Sequence, residues 1–138
     1  GVDFLWKWTS PRADKGFPFV KIQAEWMLRN YDAAATATLP AAVFQDQGAY
    51  AQVIWGIKPM WTAGLRLEYV NGDVGDDPLD PRFQPRQRVS IDGTWYPTEY
   101  SKLRLQYSYD QRTGGFADAN SLWLQFEFLL GAHAAHKF

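Results

Sequence analysis

The 138-residue chain has no cysteine and only two histidines. It therefore has neither a disulfide framework nor a thiolate metal site. No run of about 18 apolar residues occurs, so a transmembrane helix is excluded. That says nothing against membrane strands, which need only about 9–11 residues and turn half of them away from lipid. Charge of one sign is not in excess either: the net value of −1 gives no long-range pull toward nucleic acid or anionic lipid. The basic residues also avoid the aromatic positions, so no nucleic-acid partner is expected. No segment carries a convincing helical period, and Ala33–Ala42, with Thr and Pro inside it, reads as loop.

Aromatics, by contrast, reach 17%, with seven Trp and seven Tyr. Large amphipathic rings are favoured where an apolar medium meets water. Apolar residues recur at every second position in seven segments, the pattern of strands with one apolar face. These are Val2–Trp8, Phe19–Arg29, Ala49–Lys58, Trp61–Val70, Arg88–Tyr96, Lys102–Asp110 and the stretch from Ser121 toward Phe138. The expected fold is all-β, an antiparallel up-and-down barrel of about seven strands.

Alternation alone does not say which face meets water. A soluble ligand-binding barrel turns its apolar face inward and a membrane barrel turns it outward. The connections favour the membrane. Lys58–Met60 and Pro97–Tyr100 are tight and Ser10–Gly16 moderate, whereas Tyr31–Gln47, Asn71–Pro85 and Gln111–Ala119 are long. Short and long alternate, as periplasmic turns and extracellular loops do. Aromatics cluster at both strand ends: Trp6, Trp8, Trp55, Trp61 and Trp95 near the short turns, Trp26, Tyr31, Tyr69, Tyr107 and Tyr109 toward the long loops. Two such girdles mark a transmembrane barrel.

The final stretch, SLWLQFEFLLGAHAAHKF, keeps its even-numbered apolar parity to a terminal aromatic, Phe138. Such an ending serves as an insertion signal read by barrel-insertion machinery. With Phe138 on the periplasmic side, Gly1 starts outside, and seven is an odd number where single-chain bacterial barrels have an even one. The expectation is that residues 1–138 form the C-terminal part of one larger barrel domain, with earlier strands absent. The stretches GVDFLWKW, FVKIQAEWMLRNYD, SKLRLQYSYD and LWLQFEFLLGAHAAHKF together resemble the C-terminal half of Gram-negative outer-membrane barrel proteins. Some of that group are described as porin-like and some as zinc-regulated TonB-dependent receptors. The resemblance implies an outer-membrane location, the lipid bilayer as partner and a transport role for small polar solutes.

Opposite the apolar face lies a charged one. Its candidate lumen-lining residues are Lys21, Glu25, Arg29, Arg66, Glu68, Arg88, Asp92, Arg104, Asp110 and Glu127. Charges at this density cannot pack a dry core. Arg66, Arg88 and Arg104 share face parity on consecutive strands and are expected to approach one another, with Glu68, Asp92 and Asp110 as partners. Other chemistry has weaker support. His133 and His136, three apart, point to opposite faces of a strand, and two ligands are too few for structural zinc. The Asp73–Asp80 loop lacks the EF-hand spacing and its closing Glu. Ser90 and Ser108 have no imidazole partner, so no enzyme and no cofactor are expected. The readings carried forward are a porin-like channel, a TonB-dependent receptor barrel, a structural or adhesive barrel, and a soluble ligand-binding barrel.

Overall fold

The computed structural model describes residues 1–36, 38, 40–72, 84–113 and 117–130. Seven strands form: β1 (Val2–Asp14), β2 (Phe17–Ala33), β3 (Ala42–Lys58), β4 (Trp61–Gly72), β5 (Arg86–Thr98), β6 (Ser101–Arg112) and β7 (Ala119–Phe128). Each pairs antiparallel with its sequence neighbour, giving one sheet in the order β1 to β7. Among the described residues no ladder joins β1 to β7, so the sheet is open. The chain is all-β, as its alternation requires.

Register keeps the face parity across every interface. One row of directly opposed residues runs Trp6, Ile22, Val53, Leu65, Ile91, Tyr107 and Leu122. A slip of one residue at any ladder would send half of that row to the other face. Trp8 and Trp55 lie one row nearer the short turns, and Trp61 stacks on Trp95 beyond them, ring centroids 5.9 Å apart. The expected division into two aromatic groups is less sharp along the ladders, where Trp6 and Tyr107 share a row. Rows run perpendicular to strands, so strand tilt separates their ends along any common axis.

Several strands outrun the segments read from alternation. β1 continues from Trp8 to Asp14, past a register shift between Thr9 and Asp14, so Ser10–Gly16 is not a moderate loop. The turn is Lys15-Gly16 alone, with φ of 52° and 81°. Positive φ at both central residues suits the right-handed twist of a hairpin, and Gly16 adopts it without a Cβ clash. Likewise β2 and β3 stay paired through Tyr31↔Phe44 to Ala33↔Ala42. Backbone pairing needs no side-chain alternation, and this is why the pattern stops before the strand does.

The apolar face of the sheet is exposed, and the most enclosed side chains are polar. Among the described residues no hydrophobic side chain is buried, while Ser90, Thr94, Ser108 and Asp110 are at most 5% exposed. On the apolar face Leu65 is 44%, Ile91 54% and Leu124 72% exposed. The exceptions to face polarity include Leu5 and Trp123, apolar residues of the polar face that sit on the two edge strands.

Candidate functional site

The polar face gathers all ten sequence-derived candidates. Lys21, Glu25 and Arg29 come from β2, Arg66 and Glu68 from β4, and Arg88 and Asp92 from β5. Arg104 and Asp110 come from β6 and Glu127 from β7. Register places them in cross-strand rows: Glu25–Tyr50–Glu68–Arg88–Asp110 in one, Gln23–Gln52–Arg66–Ser90–Ser108 in the next. Phe138, His133, His136 and the Asp73–Asp80 loop lie outside the described residues.

The three arginines border one hollow without standing directly opposite one another. Arg66 stands opposite Ser90, Arg88 opposite Glu68 and Arg104 opposite Thr94, so each occupies a different row. Each binds a carboxylate instead. Arg66 Nη2 donates to Glu68 at 3.0 Å, Arg88 Nη2 to Asp110 at 3.0 Å and Arg104 Nε to Asp92 at 3.1 Å. Arg66 also lies over the Tyr50 ring, 4.0 Å from its centroid, a cation–π contact. Lys102 pairs with Glu127 at 2.8 Å.

Asp110 is the hub. Arg86 forks onto it through Nε and Nη2, Arg88 adds a third guanidinium nitrogen, and Arg112 approaches to 3.7 Å. An ionised carboxylate this enclosed is tolerable only with such charge-assisted partners. Arg86 and Arg112 continue the polar parity two residues beyond the strand ends read from the sequence, and the segment boundaries there hid them. The other ion pair of this kind, Arg29 with Asp46, is open to water: the Arg29 side chain is 74% exposed. Exposed pairs of this type contribute about 0–1 kcal/mol.

Neutral groups complete the network. Gln23 donates to the Tyr50 hydroxyl at 3.0 Å, and Gln52 donates to Gln23 at 3.1 Å. The Ser90 and Ser108 hydroxyls hydrogen-bond at 2.9 Å, and Gln106 donates to Ser108 at 3.1 Å. Two glycines make room for neighbours that lean across the strands. A Cβ on Gly64 would collide with the Asp92 carboxylate, and one on Gly56 with the Phe19 ring. Nothing in the sequence marks either glycine for that role. In the β5–β6 turn, the hydrogen bond and charge of Glu99 hold the Tyr100 phenol above its ordinary pKa.

No family model matches the chain, and no solved structure matches it. An uncharacterized protein of Aquifex aeolicus (strain VF5) is similar at 27% identity over 142 residues, covering 88% of this chain. The match takes in 28% of that protein, so the chain spans less than a third of its relative's length.

Proposed function

We propose that the sheet is part of the wall of an outer-membrane β-barrel, a porin-like channel or transporter for small polar solutes. Its inverted polarity carries this reading. Water-facing Leu65, Ile91, Leu122 and Leu124 coexist with Ser90, Thr94, Ser108 and Asp110 as the enclosed residues. Burying apolar surface is worth about 25 cal/mol per Å², so an exposed face of this extent calls for an apolar medium. A lipid bilayer supplies one to every strand at once, while the opposite face lines an aqueous lumen. A soluble ligand-binding barrel requires the same residues turned inward.

Strand length agrees with this. The shortest, β7, has 10 residues and the longest has 17, against about 9–11 for a tilted membrane strand. The free edges of β1 and β7 would pair with further strands of a larger barrel, since open edges are untenable in lipid. A TonB-dependent receptor shares this wall and differs by a plug. A structural barrel draws support from the ion pairing of Arg66, Arg88, Arg104 and Lys102, which could hold a filled interior.

Fractionation and conductance separate these readings. The full-length protein is expected in the membrane fraction after a high-salt wash, and in planar bilayers it is expected to give discrete conductance steps. Replacing Arg66, Arg88 and Arg104 together with Gln should move the reversal potential toward cations. Recovery in the soluble fraction overturns the membrane reading. Membrane insertion without conductance leaves the plugged receptor and the structural barrel.

A further inference from the structure

We propose that the β4–β6 part of the polar face holds a subsite for a small hydroxylated monocarboxylate, such as a sugar acid. The proposal rests on the channel reading and names the solute class its wall selects. The site is a hollow of about 310 Å³ floored by Ser90 and by the Asp92 carboxylate that lies over Gly64, and walled by Arg66, Arg88 and Arg104. At ~30 Å³ per water this is room for roughly ten waters, or for a six-carbon solute with some of its hydration.

Donors in the hollow outnumber their protein acceptors. A guanidinium has five N–H groups. Arg88 sends one nitrogen to Asp110 and Arg104 one to Asp92, and their remaining N–H groups have no acceptor among the described residues. Planar, forked donors of this kind match a carboxylate. The same hollow also contains the carboxylates of Asp92 and Glu68. Three guanidinium groups against these two carboxylates leave the hollow a single net positive charge, which a monoanion balances and a compact dianion such as phosphate exceeds. A neutral sugar would leave the remaining guanidinium N–H groups without an anionic acceptor. A monocarboxylate bearing hydroxyls satisfies both sets: its carboxylate takes the open N–H groups, and its hydroxyls donate to Asp92 and Glu68. The donors stay in place when the hollow is empty because each arginine is already anchored to a carboxylate, which lowers the ordering cost of binding.

The test is calorimetric titration of the detergent-solubilised full-length protein at low ionic strength with gluconate, glucose and inorganic phosphate. Gluconate is expected to bind more tightly than either of the others. Arg88→Gln with Arg104→Gln should weaken gluconate by about tenfold or more. Lys102→Gln, on the same face but outside the hollow, should change it by less than about twofold. Asp92→Asn removes a repelling charge and should narrow the gap between phosphate and gluconate. Equal binding of gluconate and glucose, a preference for phosphate, or an unchanged affinity in the double arginine variant would each overturn the proposal. The ranking of the three solutes on the unaltered protein decides the matter even where a variant does not fold. Conductance without gluconate binding refutes the subsite and leaves the channel, and binding without conductance refutes the channel and leaves the subsite.

Discussion

The polar faces of β1–β3 and β4–β6 have the same parity and opposite character. In β1–β3 the contacts are mostly neutral, the amides of Gln23 and Gln52 with the Tyr50 hydroxyl. The Lys7 ammonium rests over the Phe19 ring at 5.0 Å. The ion pair of that half, Arg29 with Asp46, sits at its water-exposed end. In β4–β6, arginine and carboxylate recur in successive rows and enclose Ser90, Thr94, Ser108 and Asp110. Parity decides which face a charge occupies, whereas enclosure decides what that charge is worth. One half is therefore held mainly by neutral contacts, and the other concentrates both the field and the structural cost.

Substitutions in the two halves should separate accordingly. The largest effect is expected for Asp110→Asn, which strips Arg86, Arg88 and Arg112 of a shared partner. We expect about 2–3 kcal/mol of lost stability, read as the urea midpoint of the full-length protein in lipid vesicles. Glu25→Gln, in the same row but in the neutral half, should stay within about 0.5 kcal/mol. Equal effects would erase the distinction drawn here. Next is Gly64→Ala, which pushes Asp92 off its position and loosens Arg104. A cost of about 1–2 kcal/mol is expected, largely recovered when Asp92→Ser is added, and a lack of recovery would mean the strain lies in the backbone. The smallest is Asp46→Asn, expected to cost less than about 1 kcal/mol and to fade with added salt.

Much of this arrangement could be read from alternation alone. The seven strands, their antiparallel order and the face of every candidate residue follow from period-2 patterning with short turns between. What alternation could not supply was register. Arg66, Arg88 and Arg104 share parity, yet which carboxylate each meets depends on pairings such as Arg66↔Ser90 and Arg88↔Glu68. Those pairings are set by turns and bulges, and the β1–β2 turn proved to be two residues where a seven-residue connection was expected. Strand ends were illegible for a related reason. Past Arg29 and before Ala49 the side chains stop alternating while backbone hydrogen bonding continues. Gly64 and Gly56 have meaning only against Asp92 and Phe19, which arrive from neighbouring strands.

That continued pairing has a consequence for how the molecule meets its surroundings. Among the described residues β4 pairs as far as Asp46↔Gly72, whereas β2 and β3 run on through Asn30↔Gln45 to Ala33↔Ala42. At ~3.4 Å per residue, the β2–β3 pairing continues roughly 14 Å beyond Gly72. If the sheet is the barrel wall proposed above, this ribbon extends past the rim beside it, and an epitope tag placed near Ala35 would report which side of the envelope it faces.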